Sequence, residues 1–250
     1  MKKAPLFAII TVCRNAAGTI GRTIASVDAQ TFTDYEHLIV DGASTDATCD
    51  MASAPASPRR RIVSEPDRGI YDAMNKGMAM TRGKYLIFLN AGDAFHNADV
   101  LERYARAIKS ANNPGIVYAQ TDIVDNDGRR IGSRHLTAPD NLTLKSFAAG
   151  MVVCHQAFAA LRRIAPQYNL RYRFSADYDW CIQCLQHSRR NVGLTGMVAI
   201  DYLDGGATTK NRVASLRERF TIMCYYYGTM GTIARHFGFV ARALRRKFTK

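Results

Sequence analysis

Three apolar runs in the first 95 residues each end in a short acidic turn that contains glycine. The runs are HLIV before residues 41–46, RIVSEP before residues 67–72 and YLIFL before residues 90–93. Runs of this length between turn residues are typical of buried parallel strands. Parallel strands end at a common edge of an open α/β sheet, where ligands bind. The three turns therefore predict a site for a nucleotide, a metal ion or both.

The predicted elements divide the chain into two halves. The first half alternates strands at 6–13, 35–40, 62–64 and 84–89 with helices from 20 to about 30, from Ser44, and from 70 to a C-cap at Gly83. This alternation predicts a Rossmann-like, mostly parallel sheet flanked by helices. The second half has a predicted hairpin around the turn 125–128, a helix at 174–187 and a strand at 197–202, which indicates a mixed sheet.

Composition agrees with an ordinary globular α/β protein. The 250 residues are 47% hydrophobic and 22% charged, which suffices for a full core and excludes a disordered chain. No apolar stretch approaches the roughly 18 residues of a membrane span, and the start MKKAPLFAIITVCRN is predicted to be a strand, not a signal peptide. The six cysteines are scattered and form no disulfide framework. We therefore expect a reducing, cytoplasmic location.

The positive charge is concentrated at the C-terminal end. Of the formal net charge of +13, residues 210–250 contribute +9, from ten Lys or Arg and one acid. Apolar residues form a narrow helical stripe, with arginines on the other face, at positions 233, 237, 240, 244 and 248. A basic amphipathic helix of this kind favours contact with an anionic membrane surface. The alternative is a helix that packs its stripe on the domain while its arginines are solvated.

Two of the turns suit particular ligands. A carboxylate at Asp41 can accept hydrogen bonds from a nucleobase or ribose, although Asp41 and Ser44 can also simply cap the next helix. Asp93, after a buried strand, suits Mg²⁺ or Mn²⁺, hard cations that share oxygen ligands with a diphosphate. The alternative is that Asn, Gly and Asp at 90–93 form a plain turn.

The motifs taken together resemble a known family. They are TVCRN at 11–15, DGASTDAT at 41–48, SEPDRGIYDAMNKG at 64–77, FLNAGD at 88–93, CHQ at 154–156, ADYD at 176–179 and DGGATTK at 204–210. In order and spacing they resemble the family 2 inverting glycosyltransferases of the GT-A fold, particularly bacterial enzymes of colanic-acid and exopolysaccharide assembly. The resemblance implies one GT-A domain over 1–210, with a nucleotide-sugar half at 1–95 and an acceptor half at 96–210. Residues 211–250 form the basic tail.

The resemblance also implies roles for individual residues. Thr11 and Asp41 would contact the nucleoside, and Asp67 and Arg68 would lie beside the base and diphosphate. The donor-binding set also includes Arg14, Asn15, Ser44, Asp72, Asn75 and Asn90. Asp93 matches the last carboxylate of the family's metal-binding DxD motif, which implies a divalent cation, Mn²⁺ or Mg²⁺. Asn90 and Gly92 replace the other DxD positions, so the diphosphate would supply most ligands.

The acceptor side contains the candidate base. Asp177 matches the Asp of the family's Glu-Asp pair, the expected general base, while the Glu is replaced by Ala176. Asp179 is a second candidate, but on a helix the two lie about 200° apart, so only one can face the cleft. We favour Asp177. His155 and Gln156 are candidate acceptor-binding residues; the alternative for His155 is a packed core histidine.

The expected activity is inverting transfer of a sugar from a nucleotide-diphosphate sugar to a saccharide acceptor. The resemblance makes an acceptor on a polyprenyl diphosphate lipid the favoured choice, at the inner face of the plasma membrane. Transfer directly onto polyprenyl phosphate is the alternative. A nucleic-acid-binding protein would need a basic face with interleaved aromatic residues, and here the cleft is ringed by acidic turns. A dinucleotide-dependent oxidoreductase is disfavoured because the first strand–helix turn has no GxGxxG.

Overall fold

The computed structural model describes residues 3–54, 56–205 and 211–248, and only the backbone of 239–248. These residues form a single mixed sheet flanked by helices. The strands are β1 Phe7–Cys13, β2 Tyr35–Asp41, β3 Arg60–Ser64, β4 Tyr85–Phe88, β5 Ala94–Phe95, β6 Ile116–Val124, β7 Arg130–Ser133, β8 Phe158–Leu161 and β9 Asn191–Leu203. The α-helices are α1 Ile20–Asp28, α2 Thr48–Ser53, α3 Ile70–Met80, α4 Val100–Ser110, α5 Leu144–Phe147, α6 Ala176–His187, α7 Arg212–Tyr227 and α8 Thr229–Phe248.

The sheet topology confirms the predicted fold class, a parallel first part joined to a mixed second part. Neighbouring strands follow the order β3-β2-β1-β4-β8-β6-β9-β5, with β7 paired to β6. Strands β1 to β4 are parallel to one another, whereas β8 is antiparallel to both β4 and β6. The predicted hairpin is present as β6 and β7. From β1 the chain moves outward to β2 and β3 and then returns to the other side of β1, so a topological switch point lies between β1 and β4.

Alternation along the buried strands builds a separate core on each face of the sheet. On one face Ile10 and Phe88 pack with Met74 of α3 and with Trp180 of α6. On the other face Ile9 packs with residues from α1 and α4. The core thus fixes β1 and β4 from both sides, and the loops at their carboxyl ends are mounted on a rigid support.

Two predicted helix boundaries were wrong. Ser44 does not open a helix: α2 begins at Thr48, because the side chains of 41–46 bond to the neighbouring loop. Gly83 is not a C-cap, since α3 ends at Met80 in an extended residue, Thr81. Gly83 is instead needed for close packing, because a Cβ at this position would lie 2.3 Å from the backbone nitrogen of Ala8.

The C-terminal region contains two helices. Gly228, with φ of 76°, ends α7, and α8 turns back so that the rings of Phe220 and His236 lie 5.1 Å apart. Side chains of the predicted stripe beyond 238 and motif residues 206–210 lie outside the described residues. None of the helices in the described ranges combines the length and apolar character needed to cross a membrane.

Candidate active site

The candidate site lies where β1 and β4 end at the switch point. After β4 the chain continues alongside β1, with the Ala91 N–H donating to the Val12 carbonyl over 3.3 Å. The loop after β2 joins the same edge, because the Gly42 N–H donates to the Cys13 carbonyl over 2.8 Å. The turns at 41–46 and 90–93 therefore both lie at the end of β1, on the edge where open α/β sheets form their ligand-binding crevice.

The Asp41 carboxylate is occupied by bonds within its own turn. It is 1% exposed and accepts hydrogen bonds from the Ser44 N–H (2.8 Å), the Ser44 hydroxyl and the Ser64 hydroxyl (2.7 Å). Burial alone would raise the pKa of Asp41, but these hydrogen bonds hold it below the usual range. Asp41 and Ser44 thus form the floor of the turn, and Asp41 presents little surface to a nucleoside.

The loop after β1 is tied to the same turn. The Asn15 backbone N–H donates to the Ser44 hydroxyl over 2.7 Å, and its side-chain oxygen accepts from the Thr45 N–H over 2.9 Å. Arg14 is exposed at the edge. Thr11 differs from expectation: it is fully buried, and its hydroxyl is paired with His37 over 2.9 Å. It points to the α1 side of the sheet, so this geometry does not support a nucleoside contact.

The second acidic turn, at 67–72, lies directly against the first. A Cβ at Gly42 would come within 2.3 Å of Asp67 Oδ2, so only glycine allows this approach. Asp67 also accepts from the Gly69 N–H over 2.8 Å. Arg68 bonds Asp72 over 3.0 Å, yet its side chain is 80% exposed, which leaves most of the guanidinium available to a ligand. Arg68 holds the pKa of Asp72 below its usual range.

Asn75 does not line the donor crevice. Its amide oxygen accepts from the Tyr168 N–H over 2.7 Å, and its amide nitrogen donates to the Tyr168 carbonyl over 3.0 Å. These two bonds tie α3 to the loop before α6. The predicted donor contact of Asn75 is therefore replaced by a structural role.

The third turn presents Asp93 and Asn90. Asp93 is 4% exposed and accepts from the Leu203 N–H over 3.0 Å and from the Gln156 amide over 2.6 Å. Burial raises the pKa of Asp93 to about 6 against these hydrogen bonds. Asn90 Oδ1 is buried, and no group among the described residues bonds to it.

These oxygens fit a divalent cation that takes most of its ligands from a diphosphate. An orphaned buried acceptor in the same four-residue turn as a buried carboxylate suits a hard cation, and each Asp93 oxygen keeps an unused lone pair. Asp93 and Asn90 would hold the ion. Within the described parts of the chain no three His, Cys, Asp or Glu side chains gather into a complete metal cage. The missing DxD carboxylates are thus not replaced by other acidic residues there.

Asp177 lies in the first turn of α6, against His155 and Tyr71. Its side chain is 14% exposed, with one oxygen 3.4 Å from His155 Nδ1 and the other accepting from the Tyr71 hydroxyl over 3.1 Å. Burial alone would raise the pKa of Asp177, but His155, Arg219 and Tyr71 together lower it to about 2. The carboxylate is consequently ionised at neutral pH.

The adjacent residues His155 and Gln156 connect the two carboxylates. His155 lies against Asp177, and Gln156 donates to Asp93 from the same 3₁₀ turn, His155–Ala157. Both side chains are more than nine-tenths buried. His155 is thus buried, as in the packed-histidine alternative, and it also contacts the candidate base.

Asp179 faces away from the cleft. It is 4% exposed, and its oxygens accept from Tyr226 over 2.8 Å and from Gln183 over 2.7 Å. The helical separation expected from sequence explains why only one of the two aspartates reaches the site. Asp179 instead joins α6 to α7.

Sequence reasoning missed two residues at this site, Tyr71 and Arg219. Tyr71 precedes Asp72 within the motif at 64–77, and its ring and hydroxyl could have indicated a residue that packs in the site and donates a hydrogen bond. Arg219 was hidden within a run of basic residues, and nothing in the sequence separates it from its neighbours.

The chain is similar to known glycosyltransferases. Residues 8–166 match the family model described as Glycosyl transferase family 2. A Mycobacterium bovis protein, the PGL/p-HBAD biosynthesis glycosyltransferase, is 35% identical over 217 residues, covering 84% of this chain and 81% of its own length. The succinoglycan biosynthesis protein ExoO of Rhizobium meliloti is 31% identical over 157 residues, covering 60% of this chain and 44% of its own.

A solved structure agrees on the fold. The mannosyltransferase PcManGT from Pyrobaculum calidifontis, in complex with GDP-Man and Mn²⁺, superposes with a TM-score of 0.63 at 16% identity, over 99% of this chain and 80% of its own. The fold and the relatives define a glycosyltransferase with a GT-A architecture. The chain belongs to glycosyl transferase family 2.

The raised pKa of Asp93 predicts a pH effect on stability. The native pKa of about 6 lies above the ordinary 3.8, so the native state binds more protons between these values and loses stability as pH rises through that window. The loss is up to about 3 kcal/mol. We expect Asp93→Asn to remove it. The free energy of unfolding of both proteins is measured from pH 4 to 7 by urea unfolding in the presence of a chelator. The fluorescence of the single, buried Trp180 reports the transition. Equal pH slopes would contradict the prediction.

Proposed function

We propose that this glycosyltransferase transfers a sugar with inversion from a nucleotide-diphosphate sugar to a hydroxyl of a saccharide acceptor. The observation that supports it is the arrangement of Asp177 and Asp93. Asp177 is ionised and partly exposed to the cleft, whereas Asp93 lies at the switch-point edge, and the two are connected through the adjacent residues His155 and Gln156. An inverting transfer needs one base and one region that stabilises the leaving group, and no covalent nucleophile.

In the chemical step, Asp177 acts on the acceptor, and the region around Asp93 stabilises the leaving group. The acceptor hydroxyl gives its proton to Asp177 while its oxygen forms a bond to the anomeric carbon. The bond between that carbon and the β-phosphate oxygen breaks, and its electron pair leaves with the nucleoside diphosphate. His155 and Tyr71 hold the two Asp177 oxygens, so the carboxylate keeps a fixed direction toward the acceptor.

The donor occupies the edge formed by the three turns. The exposed guanidiniums of Arg14 and Arg68 are available to balance the charge of the diphosphate. A Mn²⁺ or Mg²⁺ held by Asp93 and Asn90 would supply positive charge to the leaving diphosphate. Asn15, Ser44 and Asp67 shape the surface on which the nucleoside rests.

The ionised Asp177 favours a hydroxyl acceptor over a polyprenyl phosphate. A phosphate is already anionic at neutral pH, so it needs no base and would be repelled by the carboxylate. The glycan-biosynthesis names of the mycobacterial and rhizobial relatives support a saccharide acceptor in bacterial surface or exopolysaccharide assembly. We extend this to an acceptor on a polyprenyl diphosphate lipid.

A lipid-linked acceptor requires contact with a membrane, and α7 and α8 offer a surface for it. Tyr225, Met230 and Phe237 are each at least 75% exposed, although they are large and apolar. Arg235 lies between Met230 and Phe237 in the sequence, and Arg242, Arg245 and Arg246 follow, which suits an anionic membrane surface. We place the enzyme in the cytoplasm, peripherally on the inner face of the plasma membrane.

Replacing Asp177 by Asn should abolish transfer while leaving nucleotide binding intact. Loss of a general base lowers turnover by about 10² to 10⁴-fold. The matched control is Asp179→Asn on the same helix, which removes a bond to Tyr226 or Gln183 and should cost about 1 kcal/mol of stability with little loss of turnover. Turnover and nucleoside-diphosphate affinity are measured for both. Retained transfer by Asp177→Asn would eliminate this base.

The donor class is tested by a panel of UDP-, GDP- and dTDP-sugars with and without Mn²⁺. A ligand that binds only the native state raises the melting temperature by mass action, by about 2.7 kcal/mol of stability at 100 times its Kd. We expect one base to stand out, and Mn²⁺ to strengthen its effect. If no nucleotide sugar shifts the melting temperature under either condition, the proposed donor site is wrong.

Membrane contact predicts that wild-type protein sediments with vesicles that contain an anionic phospholipid. Replacing both Met230 and Phe237 by serine should lower this partitioning at least tenfold, because each large side chain contributes about 1.5–3 kcal/mol when buried. Ile131→Ser is the control, since Ile131 is 56% exposed on β7, outside the helical region. Equal partitioning of the double variant and wild type would argue against a membrane role for α8.

A further inference from the structure

Helix α7 holds the segment from which Asp177 projects. The hydroxyls of Ser175 and Ser215 are 2.9 Å apart, and the Glu218 carboxylate accepts the backbone N–H groups of Arg173 and Phe174 over 2.8 Å each. About two turns beyond Glu218, α7 remains in contact with α6 through the bond between Tyr226 and Asp179 described above. The start of α6 is thus fixed from the C-terminal region, which the sequence treats as a tail.

Arg219 lies on the face of α7 that makes these contacts. It follows Ser215 by four residues, so the two side chains lie on one side of the helix. Ser215, one turn before Arg219, bonds Ser175, which is two residues before Asp177, and this contact places Arg219 near the start of α6. In agreement with that position, Arg219 lowers the pKa of Asp177. No carboxylate in the described ranges lies within ion-pair distance of it, so Asp177 does not neutralise it directly.

The guanidinium has unused hydrogen-bonding capacity. Arg219 Nε is buried and donates to no group among the residues that the structure describes. A buried donor without a partner costs about 1–3 kcal/mol, more when it is charged. An oxyanion would remove this cost, and a phosphoryl group matches the planar fork of arginine.

We propose that Arg219 binds a phosphoryl group of the acceptor. The inference rests on the proposed function, because inverting displacement puts the base and the leaving diphosphate on opposite sides of the anomeric carbon. A cation near Asp177 therefore lies on the acceptor side, away from the donor diphosphate. In an acceptor whose sugar carries both the attacking hydroxyl and a diphosphate, the sugar ring keeps the negative phosphate away from the negative Asp177. The hydroxyl then lies at Asp177 and the phosphate at Arg219. Helix α7 leads directly into α8, where we place the lipid.

Farnesyl diphosphate, a short isoprenyl diphosphate, serves as the probe. Its binding is measured by isothermal titration to full-length protein already saturated with the nucleoside diphosphate that the donor panel selects. Wild-type protein should bind it, and Arg219→Gln should weaken this binding at least tenfold, the loss expected for a charge-assisted hydrogen bond. Arg219→Lys, which keeps the charge without the fork, should fall between the two. The nucleoside diphosphate Kd should stay within about twofold in every variant.

Arg217→Gln is the matched control, since Arg217 is exposed on the same helix. It should bind both ligands as wild type does, and melting temperatures verify that all variants are folded. Equal binding of farnesyl diphosphate by wild type and Arg219→Gln would overturn the inference. Weaker nucleoside diphosphate binding with unchanged probe binding would also overturn it, by assigning the contact to the donor. If wild type binds no nucleoside diphosphate, the proposed function fails instead.

Discussion

The site depends on the contacts that His155 and Gln156 make with two buried carboxylates. Burying an ionised carboxylate without partners is costly, and these adjacent residues supply a partner to each, His155 to Asp177 and Gln156 to Asp93. Because both belong to one 3₁₀ turn, the two carboxylates are held in a fixed relation. Tyr71 and the Leu203 N–H complete the two environments from α3 and β9.

The surroundings of the two carboxylates shift their pKa values in opposite directions. Burial dominates at Asp93 and raises its pKa to about 6, whereas at Asp177 His155, Arg219 and Tyr71 outweigh burial and lower it to about 2. A difference of this kind is expected where two acidic groups have different tasks. In the proposed reaction Asp177 receives the acceptor proton, and Asp93 belongs to the region that stabilises the leaving diphosphate.

Sequence reasoning predicted the framework well because strands β1 to β4 have strong local signals. Their apolar runs and turn residues fixed the parallel half, and the motifs identified Asp93, Asp177, His155 and Gln156, which the structure brings together. It failed where a side chain's partner is distant in sequence. Thr11 pairs with His37 and Asn75 with Tyr168, and neither pairing leaves a local pattern. The role of α7 was missed for the same reason, since its contacts reach α6 across about 40 residues.

In the proposed reaction, Asp177 and the leaving diphosphate lie on opposite sides of the reacting sugar. A crystal structure of the protein with its intact nucleotide sugar and Mn²⁺ tests this most directly. We predict the anomalous signal of the ion beside Asp93 and Asn90, with the anomeric carbon between the β-phosphate and the Asp177 carboxylate. An ion bound away from Asp93, or a sugar whose anomeric carbon turns its phosphate-bearing face toward Asp177, would contradict it.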